Sequence, residues 1–323
     1  MTAPATLDVS VVVPLYGGEK TIASLVERVS STLAQEGWSY EIWLVCDQPR
    51  DRSWEIAARL ASERSDTHAI RLMRNFGQHP ATLLGIRRAE GATIVTMDED
   101  LQHAPEDIPA LVRESQEHGA IAYGLAEELQ HAWWRNATSR LAKWFIARYF
   151  QFGDARRISA FRAFPASART AFEHYHGERV AVDVLLSWSG LPLRPYRCQY
   201  APRAEGESGY TFRKLVRYLS DLLLGYTTAP LRIASWMGLL SVVIAAGIAL
   251  YVLINWLRVG SAVPGFAFLA LSVAAFAGVQ LLSLGIMGEY LGRLYFNSLS
   301  KPQYLVAEER HPSSGTRPDA SEG

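Results

Sequence analysis

Three carboxylates stand side by side at Asp98, Glu99 and Asp100, followed at once by Leu101, Gln102 and His103. Carboxylates this close repel one another unless a cation compensates. Asp98 and Asp100, two positions apart at the end of an extended segment, can point the same way, with Glu99 turned to the other side. Two Asp oxygens, with room left for water and phosphate, suit Mg²⁺ or Mn²⁺, which are usually held by one or two carboxylates plus substrate oxygens. A diphosphate would complete such a shell. The competing reading is a solvated acidic turn, because an isolated D-x-D is common.

The elements upstream decide where these acids sit. Residues 9–16, VSVVVPLY, are a β-branched run that reads as a strand buried on both faces. Residues 19–37 carry Ile22, Leu25, Val26, Val29 and Leu33 at helical spacing, and Gly37 ends the helix. A second strand follows over 40–47, a second helix over 53–65 with Ser53 as its N-cap, a third strand over 69–75 and a third helix over 77–91. The fourth strand, over 93–100, runs into the acids. This alternation implies a parallel, doubly wound sheet with helices on both faces. In such sheets ligands bind beyond the carboxyl ends of the strands. Four loops then share one crevice: Tyr16-Gly17-Gly18-Glu19, Asp47-Gln48-Pro49, Arg74-Asn75-Phe76-Gly77 and Asp98-Glu99-Asp100.

The rest of the chain is of another kind. Lys+Arg and Asp+Glu are both 32 in 323 residues, so no basic excess points to nucleic acid, and no nucleic-acid partner is expected. Charges are absent between Arg232 and Arg258 and again between Arg258 and Glu289. Each gap exceeds the ~20 apolar residues needed to cross a bilayer. Two spans are therefore expected, over 233–257 and 262–288, rather than a buried helical hairpin. Arg213, Lys214, Arg217 and Arg232 precede the first, Arg293 and Lys301 follow the second, and only Arg258 lies between them. That asymmetry puts both termini in the cytoplasm. Two cysteines, Cys46 and Cys198, are too few for a disulfide framework, which fits a reducing compartment. Residues 210–232, with Leu215, Leu219, Leu222 and Leu223 at helical spacing beside basic residues, read as an amphipathic helix at the membrane surface. Residues 289–306 form a second juxtamembrane segment, and 307–323, polar and rich in Pro, Ser and Gly, read as a disordered tail.

Taken together, VSVVVPLY, EIWLVCD, RLMRNFGQHPATLLGI and GATIVTMDEDLQHAPEDIP resemble glycosyltransferase family 2. More narrowly they are similar to its polyprenyl-phosphate branch, which includes dolichol-phosphate mannose synthases and bacterial polyprenyl-phosphate glucosyltransferases. The similarity continues through GESGYTFRKLVRYLSDLLLGYTTAPLRI and GIMGEYLGRLYF, so it covers about residues 8–306. It implies a cytoplasmic GT-A-type, Rossmann-like domain over 1–209, followed by juxtamembrane helices and two transmembrane helices in a multi-pass membrane protein. The implied reaction is inverting transfer of a sugar from a nucleoside diphosphate, a UDP-sugar before a GDP-sugar, to a polyprenyl phosphate in the bilayer. Relatives form membrane oligomers, so a homo-oligomer is an expected partner. The metal would be held by Asp98, Asp100 and Gln102, and the donor by Pro14, Tyr16, Glu19, Asp47, Asn75, Gln78, Asp98 and Glu99. Asp100 would be catalytic together with Arg135, Ser139, Arg162 and Arg203, the last four serving the acceptor phosphate or developing charge.

Each assignment has a plainer rival. Arg135 could be a solvated helix residue, Arg162 a structural ion-pair partner, and Arg203 a surface partner of Glu205 or Glu207. Trp133 and Trp134 read as interfacial or core aromatics rather than sugar platforms. The chain also departs from the family pattern. Gly17-Gly18 stands where Asn-Glu is usual, Cys46-Asp47-Gln48-Pro49 where Asp-Asp-Gly-Ser is usual, Arg156 where an acid is usual, and Gly209 where Lys is frequent. These changes put the donor's identity in question and raise a second possibility, a non-catalytic lipid-phosphate-binding relative that scaffolds glycan assembly. A processive polysaccharide synthase is disfavoured, because the Q-x-x-R-W signature and further spans are missing from the sequence.

Overall fold

Strand β1 (Leu7–Leu15) shows how the chain builds three layers. Its alternate residues Val9, Val11, Val13 and Leu15 enter one apolar cluster, while Val12 enters the other. On the first side pack α1 (Ile22–Gln35), α2 (Ser53–Glu63) and α4 (Ile108–His118). On the second lie α3 (Gln78–Arg88) and the short α5 (Val182–Ser187). A strand covered on both faces must be apolar at every position, which is why the valine run signals a central strand. In α1 the buried apolar residues are Ile22, Leu25, Val26, Val29 and Leu33, the stripe expected from the spacing.

The computed structural model describes residues 7–126, 158–177, 180–198, 229–259, 265–299 and 301–312. Contacts divide the chain into two units, Met1–Ser208 with Pro302–Gly323, and Gly209–Lys301. In the first unit β1 pairs in parallel with β2 (Tyr40–Cys46) and β4 (Gly91–Thr96), and β2 pairs in parallel with β3 (Thr67–Leu72). Beyond β4 the sheet turns mixed. Strand β6 (Arg162–Pro165) is antiparallel to β4 and to β5 (Ile121–Ala126), which pairs in parallel with β7 (Leu193–Cys198). With β8 (Val306–Arg310) at one edge, the strand order is β7-β5-β6-β4-β1-β2-β3-β8, so the four strands expected from the alternation form its parallel centre.

Helix α3 approaches β1 closely. A Cβ added to Gly85 would lie 2.3 Å from Val12 Cγ1, with no polar or flexible end to give way. Gly85→Ala is therefore expected to cost about 1–3 kcal/mol through overpacking. A lowered unfolding temperature would register it; an unchanged one would mean that α3 has slack to move off the sheet.

Strand β8 (Val306–Arg310) corrects the expectation of a disordered tail from 307. It pairs antiparallel with β3, closing an edge that would otherwise expose a row of backbone groups. Tyr304 and Val306 pack on the second apolar cluster. Glu308 and Glu309 meet Arg71 and Arg88 at 3.0 and 2.6 Å. Arg87 donates to Gln303 Oε1 at 3.0 Å, Tyr304 OH at 3.1 Å and the Tyr175 carbonyl at 2.6 Å. The segment looked polar because its acids are matched by arginines far away in sequence.

The second unit contains two long helices, α6 (Ala229–Val259) and α7 (Phe266–Ser298). Among the described residues one stretch, Pro230–Arg258, is long and apolar enough to cross a membrane. The second expected span, 262–288, falls largely within α7. The expected juxtamembrane helix over 210–232 lies outside the described residues up to 228.

Candidate active site

The carboxyl ends of β1 to β4 open on a cavity of about 320 Å³. The end of β1 contributes Pro14, Leu15 and Tyr16, and Asp47 comes from the turn after β2. The β3–α3 connection adds Asn75, Gly77 and Gln78, and the exit of β4 adds Asp98, Glu99 and Asp100. Eight residues expected to bind donor or metal thus share one wall. Leu15 and Gly77 are additions that residue type alone could not flag.

Hydrogen bonds tie these loops to one another. Both oxygens of Asp47 accept backbone N–H groups, from Phe76 and Gly77, each at 2.7 Å. Burial raises the Asp47 carboxyl above its ordinary range, and the two N–H bonds oppose that rise. Asp47 is therefore a brace for the third loop as well as a lining group. Gln78, at the start of α3, donates its amide to Asp98 Oδ1 at 2.5 Å. The backbone N–H of Gln102 donates to Asp100 Oδ1 at 3.2 Å.

Glu99 takes a position that strand alternation did not foresee. Its Oε2 accepts from the Tyr16 N–H and its Oε1 from the Gly17 N–H, both at 3.0 Å. Burial pushes its carboxyl up to about 7, against the pull of those two bonds, and the charges of Asp51 and Asp98 add to the rise. The second loop also braces the first. Ser53 Oγ donates to Asp51 Oδ1 at 2.5 Å and accepts from the Gly18 N–H at 3.0 Å. Ser53 is thus not the N-cap of α2, a place taken by Arg52; its hydroxyl is spent on joining two loops. Burial raises the Asp51 carboxyl, but bonds from Ser53 and the Glu19 N–H outweigh it and leave the group lowered.

Other expected site residues fall elsewhere. Glu19 is outside the cavity wall and accepts from the Arg52 N–H at 3.3 Å. Gln102 does not line the cavity. Arg162, expected at the acceptor phosphate, is buried at 3% exposure and paired with Asp183. Its Nε donates to Thr96 Oγ1 at 2.9 Å, and Tyr123 OH donates to Asp183 at 3.0 Å. That is the structural ion pair of the plainer reading. Arg135, Ser139 and Arg203 lie outside the described residues.

Among the described residues no three His, Cys, Asp or Glu side chains gather where they could hold a metal by themselves. Asp98 and Asp100 offer two carboxylates on the cavity wall, a donor set that fits a hard divalent cation only if a ligand supplies further oxygens.

A family model described as "Glycosyl transferase family 2" matches residues 10–172. Among solved structures, the fragment 1–349 of S. aureus TarS in complex with UDP-GlcNAc is 17% identical, with a TM-score of 0.45 over 68% of this chain and 66% of that one, just under two thirds of its length. Mannosyl-3-phosphoglycerate synthase from Rubrobacter xylanophilus is 13% identical, with a TM-score of 0.47 over 67% of this chain and 72% of that one. Glucosyl-3-phosphoglycerate synthase from Mycobacterium tuberculosis, in complex with Mn²⁺, UDP and glucosyl-3-phosphoglycerate, is 13% identical, with a TM-score of 0.45 over 68% and 78%. At such identities and TM-scores these likenesses place no ligand in this chain.

Proposed function

Because this chain belongs to glycosyltransferase family 2, we propose that it transfers a sugar, with inversion, from a nucleoside diphosphate to a polyprenyl phosphate held in a lipid bilayer. The observation that carries the reading is the convergence of Asp98, Asp100 and Gln78 with Tyr16, Asp47 and Asn75 on one cavity at the carboxyl ends of the parallel strands. A nucleotide sugar, a UDP-sugar before a GDP-sugar, would lie along that crevice with its diphosphate toward Asp98 and Asp100. Those two residues would hold a divalent cation, Mg²⁺ or Mn²⁺, with Gln102 nearby, and the cation would neutralise charge on the departing nucleoside diphosphate. Gln78 steadies Asp98 through its amide. Leu15 and Pro14 supply the apolar part of the wall.

The lipid acceptor is proposed from the apolar helices. A polyprenyl phosphate cannot leave the bilayer, and α6 and α7 supply apolar length to keep the enzyme at its surface. An acceptor already anionic at neutral pH needs no strong general base. Its phosphate would be met by Arg135, Ser139 and Arg203. The non-catalytic alternative fits poorly with a crevice that keeps two carboxylates facing the same cavity, since a scaffold has no use for them.

The deciding experiment uses the purified full chain with polyprenyl phosphate, Mg²⁺ or Mn²⁺, and a panel of UDP-, GDP- and dTDP-sugars, followed by mass analysis of the lipid. A glycosyl polyprenyl phosphate is expected from one donor. Transfer confined to a water-soluble acceptor would overturn the lipid assignment, and absence of turnover with every donor would favour the scaffold.

A further inference from the structure

We propose that Glu99 is a positioning residue for donor binding, clamping the first loop by its two backbone N–H groups, and that Gly18 provides the space this carboxylate occupies. The proposal rests on reading the crevice as the donor site.

The first loop has little shape of its own. Two consecutive glycines, Gly17 and Gly18, follow Tyr16, and glycine loses the most conformational freedom on being ordered. Yet each of four successive N–H groups is taken by a side chain from another loop. Tyr16 and Gly17 donate to Glu99, Gly18 to Ser53 Oγ at 3.0 Å, and Glu19 to Asp51 Oδ2 at 3.2 Å. The loop is therefore moulded from outside, by the exit of β4 on one side and the second loop on the other.

Gly18 and Glu99 depend on each other sterically. A Cβ at position 18 would lie 2.8 Å from Glu99 Oε2, 3.2 Å from its Cδ and 3.0 Å from Ile22 Cγ1. Ile22 is fully buried in the core and cannot retreat, so the carboxylate is the group that must shift. A side chain at 18 would thus displace the Glu99 carboxylate from its present seat against Tyr16 and Gly17.

The clamp also sets what this wall can recognise. With the N–H groups of residues 16–19 engaged, a ligand here meets the Tyr16 ring and the remaining lone pairs of the Glu99 carboxylate, which when ionised accepts and cannot donate. A ligand group resting there should donate, as an imide N–H, an amino group or a hydroxyl does. The same negative charge would repel phosphate oxygens, which need the cation proposed at Asp98 and Asp100.

The test combines single and double substitutions in the full chain. Binding of UDP and of GDP, each with Mn²⁺, and donor KM and kcat would be measured for wild type, Glu99→Ala, Gly18→Ala, the double variant and Glu99→Gln. Loss of the clamp should weaken binding about tenfold, the order expected for one or two charge-assisted hydrogen bonds, and raise donor KM more than it lowers kcat. The double variant should be no worse than either single one, because both remove the same contact. Glu99→Gln should fall between, keeping one acceptor oxygen but facing the other N–H with an amide donor. Additive effects of Gly18→Ala and Glu99→Ala, or wild-type donor KM in Glu99→Ala, would overturn the proposal. Amide exchange at Tyr16 and Gly17 separates this from the fate of the donor reading. It should quicken in Glu99→Ala even without nucleotide, and unchanged exchange would sink the clamp whether or not wild type binds a nucleoside diphosphate.

Discussion

Asp98→Asn and Asp100→Asn are each expected to lower turnover by ~10²-fold or more, the scale of losing a principal electrostatic stabiliser. Asn keeps the size of the side chain and removes the charge, so the cavity should keep its shape. Asp98 accepts the Gln78 amide and Asp100 accepts the Gln102 N–H, both of which an Asn oxygen can still receive. Stability should therefore change little while transfer collapses. The measurement is steady-state transfer at saturating donor, alongside unfolding temperature. Chelation of wild-type enzyme should have the same consequence. Full activity in EDTA would remove the cation from the mechanism and leave Asp98 and Asp100 as direct hydrogen-bond acceptors for the donor.

Arg162→Ala is expected to fail differently, through the fold. Removing one partner of a buried ion pair leaves the other desolvated, which costs about 3–5 kcal/mol. Asp183 keeps 20% exposure, so the lower end of that range, about 3 kcal/mol, is expected. The damage would spread, because Arg162 on β6 also holds Thr96 on β4, and Asp183 on α5 also holds Tyr123 on β5. A large drop in unfolding temperature, with residual activity per folded molecule, is the expected pattern. If Arg162→Ala unfolded at the wild-type temperature but no longer transferred sugar, the acceptor-phosphate role inferred from family resemblance would be reinstated.

The contrast between these two residues marks how much of the molecule was legible beforehand. The parallel centre could be read because each of its strands and helices advertises itself locally, through the valines of β1 and the 22-25-26-29-33 stripe of α1. The crevice followed, since strand ends in such a sheet define it. What could not be read depends on partners distant in sequence. Nothing local in Val306–Arg310 announces that Arg71 and Arg88 await its acids. Nothing in SAFRAF tells that Asp183 faces Arg162. Glu99 escaped for a further reason. Alternation of side chains applies only inside a strand, and β4 ends at Thr96, with Leu101 at a φ of 58° soon after. Between those points the chain is a turn, so the spacing of Asp98, Glu99 and Asp100 carries no rule about direction.

Strand β8 also constrains how the chain can thread a bilayer. Strands β1 to β7, all before residue 199, build the sheet, and Val306–Arg310 hydrogen-bonds to its β3 edge. Everything from 209 to 301 is then a closed excursion whose two ends return to the same body. A path that leaves a sheet and rejoins it must pierce any intervening lipid layer an even number of times. On the proposed membrane reading, in which α6 traverses the bilayer, parity asks for a second traverse to bring the chain home. Among the described residues, α7 is the one long helix that remains to make it.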